Sequence, residues 1–139
     1  MDLAVNDLLA NMPVIGSQVG IGGPVQSDNL YFLHTLGPRI EGSLEVVDGV
    51  FMGGDHEQLS GILAADERLT KHVRFFVGYA GWSKDQLNDE LKERSWLVTK
   101  GTKRRIMDIR SSDLWGETLR GMGRRFAPLA NFPEDPSLN

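Results

Sequence analysis

The residue pattern predicts an α+β domain, and three observations carry that expectation. Between Val19 and Gly53, short β-rich runs alternate with glycine, proline and aspartate. Beyond Asp55 the apolar spacing changes to that of helices. A second β-rich run, His72 to Tyr79, then falls between two helix-start signals. With 139 residues, 40% of them hydrophobic and 24% charged, the chain is sized for one compact domain with a real core. That domain is expected over residues 1–127. Residues 128–139 are expected to form an extended tail, because Pro128, Pro133 and Pro136 crowd the stretch after Phe126.

Taken in order, Ala4 to Met12 reads as a short amphipathic helix. Val5, Leu8, Leu9 and Met12 share one face, Asp2 is placed to cap it and Pro13 stops it. Strands are expected at Val19–Ile21, Leu30–His34, Leu44–Val47 and Val50–Met52, with Asp48-Gly49 as a two-residue hairpin turn. Asp55 begins a helix, with Gln58 in the capping-box position and Leu59, Ile62, Leu63 and Leu69 as its buried stripe. Val73, Phe75, Phe76 and Val77 suit an interior strand. Ser83 caps the next helix, with Gln86 as its reciprocal partner and Leu87 and Leu91 facing inward. Ser95–Thr99 is expected to be a further strand. Ser112 is expected to cap a last helix carrying Leu114, Trp115, Leu119 and Met122, with Gly123 near its end.

Composition removes several function classes. There is no cysteine, so disulfides, thiolate metal sites and cysteine nucleophiles are excluded. The apolar runs are too short to span a bilayer, and residues Met1 to Asn11 carry two aspartates and no basic side chain, so a cytoplasmic protein is expected. The net charge of −4 conceals an asymmetry: residues 1–99 hold 7 basic and 14 acidic side chains, whereas residues 100–125 hold 8 basic and 3 acidic.

Several blocks together resemble the YqgE/AlgH family of bacterial proteins. They are Gly22-Gly23-Pro24-Val25 with Asp28 and Leu33-His34; Gly53-Gly54-Asp55; and Arg74 through Trp82 with Gln86-Leu87, Glu90-Leu91 and Trp96-Leu97. Asp113-Leu114-Trp115 and the closing Ser137-Leu138-Asn139 also fit. The resemblance implies a bent antiparallel sheet flanked by helices. It implies a link, by name, to transcriptional regulation, and it brings no catalytic residues with it. Relatives in that family begin with further strands before the first helix, so the resemblance implies an N-terminally truncated domain. An open sheet edge would then invite a partner, such as a second copy of the chain. Lys100 to Arg105 departs from the family pattern.

The candidate sites each have a structural alternative. Gly22, Gly23 and Pro24 could cradle an anion with backbone amides, but their spacing matches neither nucleotide fingerprint, and a tight turn out of a strand explains them. Asp28 and His34 could form an acid–base pair, yet their spacing does not force contact; Asp28 is expected to cap a turn and His34 to satisfy a strand end. Ser27 and Thr35 are expected to point away from them. Gly53, Gly54 and Asp55 are best explained as a helix start, and His34, His56 and His72 lack metal-ligand spacing. Tyr79, Gly81 and Trp82 lie where a strand leaves the sheet, which makes them the leading ligand or partner site. Lys100, Lys103, Arg104 and Arg105 could neutralise phosphates, although the pI of about 5.3 argues against nucleic acid. The expected function is a non-enzymatic regulatory or interaction domain that binds a protein or small ligand, with no cofactor and no metal. The alternatives are a nucleotide- or phosphometabolite-binding protein or hydrolase using the glycine loops, and a nucleic-acid binder acting through residues 100–125.

Overall fold

Val19–Ile21 (β1), Val25–His34 (β2), Leu44–Val47 (β3), Val50–Met52 (β4) and Val73–Tyr79 (β5) form one sheet in the order β1-β5-β2-β4-β3. Among the described residues there are three α-helices, His56–Ala65 (α1), Lys84–Lys92 (α2) and Ser111–Gly121 (α3). The structure, a computed structural model, describes residues 19–132. The expected helix at Ala4–Met12 lies outside those residues. The described chain falls into two compact units that divide after Ser95, and each is taken by itself.

The first unit is the α+β sheet. Three of its strand pairings are antiparallel, and β1 pairs with β5 in parallel, so the sheet is mixed rather than antiparallel throughout. Its core is built by alternation. Phe32 lies opposite Phe75 and His34 opposite Val73, while Val19 meets Phe75 from the other side. These side chains pack with Leu59 and Leu63 of α1 and with Leu36 and Ile40; Ile62 and Leu69 join from the margin. Each of these fully buried apolar side chains contributes about 1.5–3 kcal/mol relative to an exposed position. The Asp48-Gly49 turn joins β3 to β4 as expected, with Val47 opposite Val50.

The connection between β1 and β2 determines the shape of one sheet end. These strands flank β5 on opposite sides, so Gly22, Gly23 and Pro24 must cross over it. Strands lie about 4.8 Å apart, so the crossing spans about 10 Å, which three linking residues cover only by passing directly over the β5 backbone. They cross at Gly78. A Cβ on Gly22 would collide with the Gly78 carbonyl oxygen, one on Gly78 with that of Gly23, and one on Gly23 with the Tyr79–Ala80 peptide. Gly78 also has φ +68°, in the left-handed region.

Several local expectations are corrected. β2 begins at Val25, not Leu30, and carries a bulge between those residues, so Asp28 sits inside a bulged strand and not at a turn cap. Asp55 Oδ1 accepts from the Gln58 amide at 2.9 Å, but Gln58 does not reciprocate: its Oε1 accepts from the Glu41 amide at 2.7 Å. The Asp55 amide is taken by the Glu41 carbonyl at 2.9 Å. Leu69 belongs to a separate 3-10 turn, Glu67–His72. Ser83 caps α2 as expected, yet Leu87 and Leu91 are exposed and α2 buries none of its residues.

Ser95–Thr99, where the two units divide, is not a strand: it joins no ladder among the described residues, and β-rich composition without ladder hydrogen bonds does not make one. In the second unit Arg104–Asp108 is a single π-helical turn. Helix α3 begins at Ser111 with Arg110 at its cap position. Ser112 is therefore inside the first turn, and the Arg110 guanidinium holds Asp113 at 2.8 Å. Among the described residues of this unit, Ile109 and Leu119 are the buried apolar side chains. Ala127–Asn131 forms a 3-10 turn where an extended tail is expected, since Pro128 fits the first turn of such a helix.

Gly78→Ala is expected to destabilise the fold by more than about 2 kcal/mol, through backbone collision and an unfavourable φ together. Gly61→Ala, inside α1 with open space around its Cβ position, is expected to stabilise it by about 0.5–1 kcal/mol. Urea unfolding of the two variants checks both signs.

Candidate functional site

The candidate residues separate onto the two ends of the sheet. His34 pairs with Val73 at the start of β5 and Val25 with Tyr79 at its finish, so six residues of strand, about 20 Å, lie between the two groups. Gly22, Gly23, Pro24, Tyr79, Gly81 and Trp82 belong to one end; His34, Gly53, Gly54 and Asp55 belong to the other.

At the second end His34 is wholly buried, at 0% exposure. Its ring lies parallel to Phe51 with centroids 5.6 Å apart. The Leu36 amide donates to Nδ1 at 3.2 Å, so that nitrogen carries a lone pair and the proton resides on Nε2. Nε2 then donates toward Ser43 Oγ at 2.9 Å and the Gly53 carbonyl at 3.1 Å. Ser43 Oγ donates to the Ile40 carbonyl, 2.8 Å away. A serine within reach of a histidine resembles a nucleophile and its base, but a base needs a free Nε2 lone pair. Moving the proton to Nδ1 would set it against the Leu36 N–H. The group is a structural clamp tying the ends of β2 and β4 to the Ile40–Ser43 turn. Burial lowers the His34 pKa from its usual 6.5, outweighing the opposing hydrogen bond to Gly53.

Gly54 completes this end. At φ +115° its Cα position faces Ile40, Glu41 and Ser43 with no room for a side chain. Asp55 caps α1, and His56 packs edge-on to Phe32 at 5.1 Å, so the acidic and imidazole groups of this segment do not converge. Asp28, exposed in the β2 bulge, does not meet buried His34. Among the described residues no three His, Asp or Glu side chains are grouped to hold a metal ion.

The first end is where the sequence motifs do converge. The Gly22 amide donates to the Val77 carbonyl at 2.9 Å, so it is spent on the sheet and not offered to an anion. Strict alternation would put Tyr79 on the Val77 face. Left-handed Gly78 breaks it, and the Tyr79 ring meets Tyr31 edge-on at 5.8 Å. Tyr31 Oη donates to Gln26 Oε1 at 2.9 Å and Asn29 Nδ2 to the same oxygen at 3.0 Å, which orders the bulge beside them. Gly81 passes over the Tyr79 ring, where a Cβ would lie 3.2 Å from Cε2. Trp82 Nε1 donates to Glu90 Oε2 at 3.0 Å, and Gln86 Nε2 to the other oxygen of that carboxylate at 3.0 Å, fastening the indole to α2. The indole remains 39% exposed and Tyr79 40%.

A family model described as AlgH-like matches residues 1–127. The chain belongs to the AlgH-like family. Its relatives include a UPF0301 protein of Pelodictyon phaeoclathratiforme, 37% identical over 139 residues that cover all of this chain and 74% of the relative. A UPF0301 protein of Bacteroides thetaiotaomicron is 31% identical over 140 residues, all of this chain and 71% of the relative. Two solved structures share the fold. Protein DIP2367 of Corynebacterium diphtheriae has a TM-score of 0.73 at 21% identity, covering 95% of this chain and 71% of its own. The AlgH protein of Pseudomonas aeruginosa has a TM-score of 0.69 at 23% identity, covering 97% and 73%. The glycine and aromatic blocks that carry the AlgH-like resemblance are thus the residues that build the crossover and the strand end beside it.

The basic cluster is partly spent within its own unit. Arg104 pairs with Glu117 at 3.2 Å, and Arg105 donates to Thr99 Oγ1 and the Lys100 carbonyl at 3.0 and 3.1 Å. Lys100 and Lys103 are exposed. Sequence reading missed Ser43 and Tyr31. Both act through contacts that only strand pairing creates, and neither has a local signal.

Neutral His34 contributes stability that is complete above about pH 6.5 and is lost as pH falls toward its lowered folded-state pKa, where the unfolded chain binds the extra proton. One such proton gives a limiting slope of about 1.4 kcal/mol per pH unit. Urea unfolding at pH 7.5 and 5.5 is therefore expected to show a larger loss for wild type than for His34→Gln; equal losses would place the slope elsewhere.

Proposed function

We propose that this AlgH-like chain is a cytoplasmic regulatory domain that works by binding a partner protein at the end of β5. The observation that supports this reading is the exposure of Tyr79 and Trp82, each about two-fifths exposed, just beyond the glycine crossover at Gly78. Aromatic side chains held in place lose little entropy on binding, and buried Trp and Tyr are the side chains that most often dominate interface energy. Ile21, 70% exposed, and Val25 at the two sides of the crossover supply further apolar area. Glu90 holds the indole edge, so a partner would meet an ordered ring. Commitment of the Gly22 amide to the sheet favours this reading over a phosphate cradle in the same loop. Any part in transcriptional regulation would then run through protein contact.

Trp82→Ala and Tyr79→Ala are expected to weaken capture of a partner by about 30-fold each, the effect of losing an interface hot spot of about 2 kcal/mol. Quantitative pulldown against wild type measures it, with circular dichroism to establish that the variants are folded. Undiminished recovery by both folded variants would remove this surface from the function.

A further inference from the structure

We propose that the chain carries a binding site for a phosphoryl group between the end of β2 and the turn leading into β5, independent of the aromatic surface. A cavity of about 200 Å³ opens there, lined by Thr35, Leu36, Arg39, Leu69 and His72. Three segments meet around it. Thr35 follows β2, and its amide donates to the His72 carbonyl at 3.0 Å. Its hydroxyl oxygen lies 2.8 Å from His72 Nδ1, so one hydrogen bond joins the two side chains and engages that ring nitrogen, Nε2 being the other. Arg39 closes the short Gly37–Arg39 turn, in which Pro38 presets the backbone. Leu36 and Leu69 belong to the core and its margin, and they give the cavity an apolar floor.

The charge pattern selects an anion. Arg68, Arg104 and Arg110 each pair with a carboxylate, whereas Arg39 makes no salt bridge among the described residues. Among the described residues no carboxylate lines the cavity. Asp66, at the head of the Glu67–His72 turn, is bound by two Arg68 nitrogens at 2.9 Å each, and Lys71 in the same turn adds positive charge; Glu67 is outside the lining. An apolar floor strengthens each polar contact made above it. The guanidinium fork fits either carboxylate or phosphate. A planar carboxylate is satisfied by that fork alone, while the one outward donor that the hydrogen-bonded Thr35–His72 pair supplies beside the two of the Arg39 fork suits the third terminal oxygen of a phosphoryl group. At about 200 Å³ the cavity is smaller than the roughly 300–1,000 Å³ of a site for a whole drug-sized molecule. It would hold the phosphoryl group and leave the rest of its carrier outside.

The probe is inorganic phosphate, titrated into the ¹⁵N-labelled full chain at constant ionic strength, with acetate in a parallel series. Saturable amide shifts are expected at Thr35, Leu36, Arg39, Leu69 and His72. Acetate is expected to bind more weakly by about tenfold, and Arg39→Gln to weaken phosphate by about tenfold or more. Arg39→Lys, which keeps the charge and loses the fork, should fall between the two and serves as a second variant. Arg39 is exposed, so the ligand-free spectra of both variants should match wild type elsewhere. Shifts spread over the basic residues 100–125, equal response to acetate, or an unchanged phosphate affinity in the Arg39 variants would each overturn the assignment.

Discussion

Three residues, Gly22, Gly23 and Pro24, have to carry the chain from one side of β5 to the other, and the sheet is possible only because nothing stands in their way. β1 and β2 are consecutive in sequence but separated in space by β5, so the link is forced against the backbone it crosses. Three glycines meet at the crossing, two from the link and one from β5, and a Cβ on any of them would strike backbone. The parallel β1–β5 pairing, the bulge at the start of β2 and the reorientation of Tyr79 all follow from that passage. A glycine-rich loop beside a strand end thus has a steric reason to exist before any ligand is considered.

The opposite end of the sheet is held by polar chemistry instead. His34, Ser43, Gly53 and the Ile40 carbonyl form a closed set of hydrogen bonds under the ends of β2 and β4, and no buried side-chain polar atom among the described residues lacks a partner. Such a set is valuable to the fold because any missing member would leave a desolvated group unpaired. It also settles the role of a serine–histidine contact that distance alone would make suggestive. The Leu36 amide fixes the tautomer, and the tautomer removes the base.

These two constructions explain why the AlgH-like motif blocks read ambiguously. The blocks around Gly22 and Tyr79 are joined in space, and the blocks around His34 and Gly53 are joined in space, but the two groups sit at opposite ends of β5. A composite site using Asp28, His34 and Asp55 with the glycine loops is therefore not formed. What the first end offers is exposed aromatic surface on constrained backbone. The second end lies next to the Thr35–His72 contact, where Arg39, which makes no salt bridge among the described residues, rims a small cavity.

Much of this fold was legible from residue pattern alone, because the interactions responsible are local. Short β-rich apolar runs gave β3, β4 and β5, the Asp48-Gly49 turn gave the hairpin, and Asp55 and Ser83 gave two helix starts through contacts only three residues long. Pattern failed where a neighbour in space decided the outcome. Ser95–Thr99 has the composition of a strand but joins no ladder among the described residues, and Leu87 and Leu91 have the spacing of a core face but stay exposed. The site followed the same division. The sequence identified Tyr79, Trp82 and the glycines as unusual, since their chemistry is visible one residue at a time. That Gly22 and Gly78 touch, that Tyr31 stands against Tyr79, and that Arg39, Thr35 and His72 surround one cavity were decided by tertiary structure, because each joins residues whose separation along the chain carries no local signal.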